Sequence, residues 1–588
     1  RRKRRVLYDN TVALNAATHC NALLKLDKAE ISHHRSLRLS VLDDAECIDG
    51  GDMVALYCPA GEPNHKKFKD ANTIRHIRYD SRMSALSREY QEHYDNDDDN
   101  DITRRTGGVD GGLDWFIPSF PIVRESTCEF RYWKRDFIAD SQVFTLLFRS
   151  ETIVIKDAEV IPTGLHLSLT NSSSEMRVHF TTGVEGTPVV AYHAATDEEG
   201  EKETLVYGIS TTYYASDMCQ APANVEEPGK FTPPGQLHTV LLSNLTPNTS
   251  YHYRVGVMTE QSTSDGIVWS PSYTFIPTSR TSTPHSFILY SDQGIFPKRG
   301  WNVGRSVFEK VARREANATS VHHIGDLSYA DGAGHVWDEW LYMVEPLVAT
   351  RPLMVGLGNH EYDHTKGGTE HDPSGVTTAA GLYRNNASNG ECGVPYAKRF
   401  SGSGNGHGPF WYSYDRGGVH TVVISSQHDF RPHTPQYYWF KRDMKAVNRD
   451  LTPWIIVESH APFYNTIDGN KDDMNGMEMR KSMEHLLKRF KVDLLVSGHN
   501  HIYLRTCKGL YDGVCNAGGT LHIIIGTGGV VDKPSPLHEQ KYTKKKWKEV
   551  LLRESGYGRV TVVNETAMHW EFVSFDNDEV FDDVWINR

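Results

Sequence analysis

Residues 321–329 read VHHIGDLSY, a short apolar run, a glycine, then Asp326 and, three residues later, Tyr329. The run has the length and composition of a buried strand, so an acidic and a phenolic side chain follow a strand end. Four other apolar runs, SFILYS, PLMVGLG, WIIVES and VDLLVSG, end before Asp292, Asn359, His460 and His499, respectively. In an open α/β sheet the ligand site lies beyond the carboxyl ends of the strands, so these residues are expected to meet.

Between these runs the spacing of apolar residues changes to the helical period. Amphipathic helices are predicted over Asn302–Glu315, Val336–Ala349, Pro435–Asn448 and Met477–Phe490. Strands that alternate with helices indicate an α/β layered domain, a βαβαβ sandwich, over residues 281–588. Residues 557–586 return to β alternation and are expected to close the sheets.

The part of the chain before residue 281 is predicted to be rich in strands. Residues 160–280 contain short alternating runs at the spacing of a fibronectin-III-like β-sandwich. Residues 1–159 form a region that is partly β, with strands predicted in CEFRYWKRDF and QVFTLLFRS and a solvated acidic loop at 95–101. The prediction is therefore a multidomain protein with β-sandwich N-terminal domains ahead of an α/β layered catalytic domain.

The composition limits the classes of partner. The 588 residues include 63 basic and 75 acidic side chains, a formal net charge of −12, which disfavours binding to a nucleic-acid backbone. No apolar run approaches the roughly 20 residues of a membrane-spanning helix. We therefore predict no nucleic-acid partner and no membrane span.

Cysteines and glycosylation sequons favour a secreted or lumenal glycoprotein with disulfide bonds. There are eight cysteines and no CxxC pair; Cys47/Cys58 and Cys507/Cys515 are close enough to close small loops, and Cys392 is a candidate for a bond to another chain. The initial RRKRR is not followed by an apolar segment, so this chain contains no visible signal peptide. Six N-x-[ST] sequons begin at Asn171, Asn244, Asn248, Asn317, Asn386 and Asn564.

The side chains at the strand ends are oxygen and nitrogen donors suited to iron, zinc or manganese. His499 and His501 are two residues apart, and in an extended segment both would point to the same side. The candidate ligands are seven, too many for one four-coordinate ion, and they suit two ions that share a carboxylate. They are Asp292, Asp326, Tyr329, Asn359, His460, His499 and His501.

Five short motifs carry a family resemblance. SDQG (291–294), GDLSY (325–329), GNHE (358–361), ESH (458–460) and GHNH (498–501) resemble, in order, the motifs of purple acid phosphatases in the metallophosphoesterase superfamily. The resemblance spans residues 160–588. The GECGVP segment at 390–395 and the pair His428–Asp429 make the chain similar to the large plant-type form.

The resemblance implies an acid phosphatase with an Fe(III) ion and one divalent ion, Zn, Mn or Fe(II). A hydroxide held by these ions would attack phosphorus in line and hydrolyse a phosphate monoester, and Asp326 would bridge the ions. A phenolate such as Tyr329 stabilises iron(III) and gives the family its colour. The implied ferric ligands are Asp292, Asp326, Tyr329 and His501. The implied ligands of the divalent ion are Asp326, Asn359, His460 and His499.

Two histidines are candidate catalytic residues. His360 directly follows a ligand, and with Asn359 it would bind the phosphate oxygens of the substrate; the alternative is that it only orients a ligand. His428 would contact the substrate or donate a proton, and the alternative is a polar loop residue.

The chain departs from the family pattern at two places. Ser291 replaces a glycine of the first motif. The loop 466–476, TIDGNKDDMNG, lacks the histidine pair that many plant members use, so the general acid stays open among Lys471, Asp472, Asp473 and other groups.

Two alternatives to a phosphomonoesterase remain. A related dimetal phosphodiesterase would use the same ligands, and a non-catalytic binding protein would use the sandwich. The intact ligand set argues against the second. The partner predicted in either enzymatic case is a small-molecule phosphate ester.

Overall fold

The structure is a computed structural model. It describes residues 23–26, 30–31, 37–42, 53–57, 76–78, 113–117, 127–138, 141–155, 157–196, 203–226, 230–259, 266–295, 305–364, 371–376, 386–465, 474–529 and 545–588. The predicted acidic loop, the predicted Cys47/Cys58 loop and the residues 471–473 lie outside these ranges.

The chain divides into two compact units, Arg1–Ile161 with Glu226–Thr232, and Pro162–Val225 with Pro233–Arg588. The described strands of the first unit form two sheets, in the orders β1-β3-β6 and β2-β9-β7-β4-β5, and β8 pairs with β7. Both segments predicted as strands in this region are strands, β7 and β8. The strands are β1 (Leu23–Leu26), β2 (Glu30–Ile31), β3 (Leu37–Leu42), β4 (Met53–Tyr57), β5 (His76–Arg78), β6 (Leu113–Ile117), β7 (Thr127–Ile138), β8 (Ser141–Arg149) and β9 (Ile153–Ile155).

The second unit begins with a β-sandwich. Its two antiparallel sheets have the orders β10-β11-β15-β14 and β13-β12-β16-β17. Leu167 and Val178 of one sheet and Val190 and Tyr253 of the other share one apolar core, because alternate residues of each strand point inward. The predicted sandwich is confirmed. The strands are β10 (Thr163–Leu169), β11 (Met176–Thr182), β12 (Thr187–Ala194), β13 (Thr204–Tyr207), β14 (Ile209–Thr211), β15 (Gln236–Leu242), β16 (Tyr251–Met258) and β17 (Tyr273–Phe275), with a 3-10 turn at Ala215–Asp217.

Two mixed sheets follow, one of six strands and one of eight. Their orders are β20-β19-β18-β29-β30-β31 and β21-β22-β23-β24-β25-β27-β26-β28. The first sheet comprises β18 (His285–Tyr290), β19 (Ala318–Ile324), β20 (Leu353–Gly356), β29 (Gly556–Val562), β30 (Ala567–Ser574) and β31 (Val580–Asn587). The second comprises β21 (Gly406–His407), β22 (Trp411–Arg416), β23 (Val419–Ile424), β24 (Trp454–Ser459), β25 (Leu494–Ser497), β26 (Tyr503–Thr506), β27 (Leu521–Ile525) and β28 (Lys548–Leu552).

The two mixed sheets pack face to face, with helices outside them. Phe287 of β18 meets Trp454 and Ile456 of β24 in the layer between the sheets. The next residue along β18, Ile288, points to the other side, into the core that includes Phe308. The α/β layers are thus confirmed. The helices are α1 (Arg305–Arg314), α2 (His335–Val348), α3 (Asn359–Tyr362), α4 (Val394–Arg399), α5 (Pro435–Ala446) and α6 (Met474–Arg489).

The C-terminal tail forms three antiparallel strands that extend the six-stranded sheet from β18. Side chains of these strands also contact the eight-stranded sheet: Trp570 donates to the Tyr503 hydroxyl at 3.0 Å, and Arg505 donates to the Asp582 carboxylate at 2.7 Å.

Among the described residues, no helix has the length and apolarity that crossing a membrane requires. The predicted Cys507–Cys515 bond is present. Cys392 is bonded to Cys219 within the chain, so the suggestion of a bond to another chain is wrong.

Candidate metal centre

The parallel strands of both sheets deliver polar residues to one site. Asp292, Asp326 and Asn359 follow β18, β19 and β20 of the six-stranded sheet, whereas His460 and His499 follow β24 and β25 of the eight-stranded sheet. The structure therefore places these polar residues just after the ends of the strands, as predicted. The layer between the sheets opens at this rim, so side chains from both sheets can converge there.

Several of these residues have a backbone conformation that is costly for a residue with a Cβ. The φ angles are +60° at Asp292, +52° at Asp326, +51° at Tyr329 and +69° at His499. Left-handed non-glycine residues cost about 1–3 kcal/mol each and persist where the surroundings require them. Four such residues gathered at one rim favour the hypothesis of a functional site there.

Tyr329, Asp292 and His501 form one side of the cluster. The Tyr329 hydroxyl oxygen lies 2.9 Å from Nε2 of His501 and 3.2 Å from Oδ1 of Asp292. It also lies 3.3 Å from Oδ2 of Asp326. Tyr329 is 1% exposed, so this contact of a phenol with two carboxylates occurs almost out of water.

Asn359, His460 and His499 form the other side. Oδ1 of Asn359 lies 3.1 Å from Nε2 of His460 and 3.0 Å from Nδ1 of His499. Nε2 of His460 lies 3.3 Å from Oδ2 of Asp326, so the Asp326 carboxylate contacts both sides of the cluster. The ligand atoms of Asp326, His460 and His499 all lie within 4.8 Å of one another.

The backbone fixes the ring of His460. Its Nδ1 donates to the carbonyl oxygen of Ile324 at 2.9 Å, so Nε2 is the ring nitrogen directed at the cluster. A carbonyl partner of this kind is typical of histidines that bind metal ions. Burial alone would lower the pKa of His460, yet the carboxylates of Asp326 and Asp292 outweigh it and raise that pKa to about 10. The cluster therefore concentrates negative charge where a cation would bind.

The histidines of the GHNH motif reach the cluster by a different route from the one predicted. His499 is left-handed, and the backbone N–H of Asn500 donates to the Gly498 carbonyl at 2.8 Å, so the segment is a tight turn. The prediction of an extended segment is wrong. His499 and His501 nevertheless face the same cluster, and the N–H of His499 donates to Oδ2 of Asp292 at 2.8 Å.

Glu361 holds the loop that carries Asp326. Its buried carboxylate accepts the backbone N–H groups of Asp326 (2.8 Å), Leu327 (2.7 Å) and Gly358 (2.9 Å). Burial and the nearby Asp326 carboxylate raise the pKa of Glu361 to about 7. A Cβ at Gly358 would lie 2.1 Å from Oδ1 of Asp326, so only glycine fits beside that carboxylate.

His360 lies beside the cluster and is oriented by Asp331. Nδ1 of His360 is 2.8 Å from Oδ1 of Asp331, and its backbone N–H donates to Oδ1 of Asp326 at 3.0 Å. Its ring centre is 4.3 Å from that of Tyr329. Sequence reasoning missed Asp331 and Glu361 as functional residues. The available signal was proximity in sequence: Asp331 is two residues after Tyr329, and Glu361 is two residues after Asn359.

His428 lies in an aromatic environment. It is buried, Nδ1 is 2.8 Å from Oγ of Ser425, and its ring lies 5.1 Å from that of Trp411 and 4.7 Å from that of Tyr362. Burial lowers the pKa of His428 to about 3. Within the described residues its contacts do not include a predicted ligand. No observation tests the predicted contact with the substrate, and the packing favours the alternative, a structural role.

The donor set fits a pair of cations. Two carboxylates, a phenol, an amide oxygen and three imidazoles meet here, and these are the ligand types that iron, zinc and manganese accept. Seven donors exceed the needs of one ion, and Asp326 lies between the two groups. The residues present are thus suited to two ions with one shared ligand.

Comparison with known proteins identifies the family. Residues 162–276 match the family described as "Purple acid Phosphatase, N-terminal domain", residues 299–503 match "Calcineurin-like phosphoesterase", and residues 519–583 match "Iron/zinc purple acid phosphatase-like protein C". "Probable inactive purple acid phosphatase 9" of Arabidopsis thaliana is 30% identical over 470 residues, 75% of this chain and 69% of the relative. The chain belongs to the purple acid phosphatase family. Membership and the metallophosphoesterase fold support phosphoester hydrolysis at a dimetal centre.

Two further relatives are informative. Purple acid phosphatase 22 of Arabidopsis thaliana is 32% identical over 376 residues, which cover 60% of this chain and 72% of the relative. The structure of purple acid phosphatase PPD1 from seeds of yellow lupin, Lupinus luteus, is similar with a TM-score of 0.77 at 21% identity, covering 97% of this chain and 96% of that one. The likeness to the lupin protein supports the fold of the chain.

Proposed function

We propose that this protein hydrolyses phosphate monoesters at a dinuclear Fe(III)–M(II) centre. The observation that carries the proposal is the contact of the Asp326 carboxylate with both Tyr329 and His460, each of which lies among further oxygen and nitrogen donors. This arrangement supports two adjacent cations more simply than it supports a structural ion pair.

The ligand assignment follows the two sides of the cluster. Tyr329 is on the side suited to Fe(III), because a phenolate stabilises the ferric state. The other side, with an amide and two imidazoles, suits Zn, Mn or Fe(II). When bound, the cations neutralise phosphate charge and lower the pKa of a water molecule. The proposed ferric ligands are Asp292, Asp326, Tyr329 and His501, and those of the divalent ion are Asp326, Asn359, His460 and His499.

His360 is proposed to bind the phosphate and stabilise the charge that develops on its oxygens. Asp331 is the partner of Nδ1, so Nε2 is the atom through which His360 would reach the substrate. Asn359 lies beside it and is proposed to contact the substrate as well as a cation. A preorganised donor of this kind commonly contributes about 10²–10³ in turnover.

The test is phosphate release by the purified protein. Initial rates are measured with p-nitrophenyl phosphate, a monoester, and with bis(p-nitrophenyl) phosphate, a diester. The iron, zinc and manganese bound to the same samples are measured as well. The two rates distinguish a phosphomonoesterase from a phosphodiesterase. Hydrolysis of the monoester with two bound metals supports the proposal. A preference for the diester would replace it with the phosphodiesterase alternative.

A non-catalytic protein is the second candidate, because the names of four Arabidopsis thaliana relatives include the words "Probable inactive". The seven candidate ligand residues lie together in one cluster, which supports an active enzyme. Two bound metals without hydrolysis of either ester at any pH between 4 and 8 would favour this second candidate.

We also propose a secreted or lumenal location and N-linked glycans. The disulfides Cys219–Cys392 and Cys507–Cys515, both between described residues, support an oxidising compartment. Glycans need accessible asparagines, and Asn386 is only partly exposed. The exposed sequon asparagines are Asn171, Asn244, Asn248, Asn317 and Asn564. Treatment with an N-glycosidase would lower the mass of the natural protein if glycans are attached.

The domain division at 1–159, 160–280 and 281–588 and the fibronectin-III-like type of the sandwich remain proposals. Limited proteolysis followed by mass spectrometry of the fragments would locate the boundaries.

A further inference from the structure

The segment 389–393, with the sequence NGECG, lies next to the residues that flank His360 and Asp331. Its backbone is strained, with φ angles of +49° at Asn389 and +42° at Cys392. Neither residue is a predicted ligand. Strain of about 1–3 kcal/mol for each such residue persists only where surrounding contacts require the conformation.

One side of the segment contacts both loops of the Asp331–His360 pair. The buried carboxylate of Glu391 accepts the backbone N–H of Gly332 at 3.0 Å, one residue after Asp331. The N–H of Gly393 donates to the carbonyl oxygen of Glu361 at 2.8 Å, one residue after His360. The segment therefore sets the separation between the two loops.

The other side of the segment is attached to the loop 219–223, which lies between strands of the sandwich. Cys392 is bonded to Cys219, and the N–H of Cys219 donates to the Gly390 carbonyl at 3.0 Å. The same loop packs against Gly332, where an added Cβ would lie 2.9 Å from Cγ of Pro222. The sandwich loop and the segment thus enclose the backbone beside Asp331.

We infer that Glu391 and the Cys219–Cys392 disulfide position the Asp331–His360 pair for the reaction, so the β-sandwich contributes to turnover through the loop 219–223. The inference rests on the proposed role of His360. Glu391 and the two cysteines act through other residues and are positioning residues. A displacement of about 1 Å at a catalytic group can cost on the order of 100-fold in rate.

The first experiment compares two disulfide-free variants. Cys219→Ser/Cys392→Ser should lower kcat at least about tenfold, with little change in KM or bound metal. Cys507→Ser/Cys515→Ser removes the other described disulfide, which contacts neither loop of the pair, and should retain kcat within about twofold. Equal kcat values for the two variants would overturn the inference.

A double-mutant cycle shows whether the effect passes through His360. If it does, adding Cys219→Ser/Cys392→Ser to His360→Ala should lower kcat no further, because the positioned group is already absent. Multiplicative losses would overturn the inference.

Glu391 provides a test that does not depend on the disulfide variant folding. Glu391→Leu removes both acceptor oxygens, whereas Glu391→Gln keeps an acceptor for the N–H of Gly332. We expect Glu391→Leu to lose kcat about tenfold and Glu391→Gln to recover most of it, with equal metal content. Equal kcat for the two would overturn the inference.

The wild-type protein and His360→Ala distinguish the inference from the proposed function. An inactive wild type contradicts the proposed function. An active wild type with an active His360→Ala variant contradicts the role of His360 and with it the inference. An active wild type, a weak His360→Ala and a normal Cys219→Ser/Cys392→Ser contradict the inference alone.

Discussion

The hydroxyl oxygen of Tyr329 lies 2.9 Å from Nε2 of His501, although the two residues are 172 positions apart in the chain. Oδ1 of Asp292 lies 3.2 Å from the hydroxyl oxygen of Tyr329 and 3.6 Å from Nε2 of His501, and the tyrosine is almost completely buried. This geometry brings a phenol, an imidazole and a carboxylate to one point, as an Fe(III) ligand set would require.

The visible absorption of the protein tests whether Tyr329 binds iron(III) as a phenolate. The unreduced enzyme should be purple, and Tyr329→Phe should abolish the visible band, because the phenolate oxygen is the donor of the charge-transfer transition. Absorption spectra at equal iron content measure this. Tyr290→Phe is the control, since Tyr290 is also fully buried and its hydroxyl has no hydrogen-bond partner in the described structure. A band that survives in Tyr329→Phe would reassign this tyrosine to packing.

The shared carboxylate predicts how metal loss depends on the ligand removed. Asp326→Ala should lose both ions, because Asp326 contacts both sides of the cluster, whereas Asp292→Ala should lose mainly iron. Metal equivalents per chain, measured by elemental analysis after gel filtration, distinguish the two. Two full equivalents in Asp326→Ala would contradict the bridging assignment.

His360 should affect turnover more than metal content. His360→Ala is expected to lower kcat about 100-fold while both ions stay bound, because the side chain touches the substrate in the proposed reaction. Asp331→Asn should lose about tenfold, since an amide oxygen still accepts at Nδ1 but carries no charge. Steady-state kinetics and metal analysis of the same samples check both. Turnover equal to wild type in His360→Ala would remove its catalytic role.

His428 should be dispensable for chemistry. His428→Asn keeps a donor near Oγ of Ser425 but removes Nε2, so kcat/KM should stay within about threefold of wild type. The smaller side chain leaves space among Trp411 and Tyr362, and unfolding should become easier by about 1–3 kcal/mol. Kinetics and denaturant unfolding give the two values. A 100-fold loss of kcat/KM would restore the catalytic role.

The contacts of His420 with two carboxylates predict that the free energy of unfolding depends on pH. Its ring lies 2.7 Å from Oδ1 of Asp415 and 3.0 Å from Oδ2 of Asp443. Burial opposes the charged form, but the hydrogen bonds to these carboxylates outweigh it and raise the pKa of His420 to about 9. Because the fold favours the charged imidazole, the stabilisation is complete below the pKa of histidine in the unfolded chain, about 6.5. It is lost as the pH rises through the folded-state pKa of about 9.

The matching experiment compares unfolding free energies between pH 6 and pH 10. The wild type should exceed His420→Gln by up to roughly 3 kcal/mol at pH 6, and most of that difference should disappear by pH 10. His433→Gln, which removes an exposed imidazole, is the control. A difference for His420→Gln that does not change with pH would refute the charged state.

The strand ends and helices could be predicted because they depend on the local spacing of apolar residues. The runs before Asp292, Asp326 and His460 are strands that end where the apolar residues end, because buried parallel strands need continuous apolar sequence. The helix predicted over Pro435–Asn448 differs from α5 by two residues at its end. Strand polarity then brought the candidate ligands together by a general rule of α/β sheets.

What the sequence could not predict depends on tertiary contacts. Cys219 and Cys392 are 173 positions apart, and eight cysteines permit many pairings. Glycine is the usual residue in a left-handed conformation, but position 499 is a histidine, so the local sequence does not indicate the turn. The partnership of Asp331 with His360 requires the two loops to be adjacent, which no local pattern encodes.

The proposed ligands come from separate sheets, so bound cations would cross-link these sheets over the apolar layer between them. Cation binding and sheet packing are then thermodynamically linked, and metal should raise the temperature of unfolding. The linkage also runs in the opposite direction. Loosening the layer around Trp570 and Phe287 would let the sheets shift and weaken cation affinity, so a defect in this distant core would be detected at the rim before the chain unfolds.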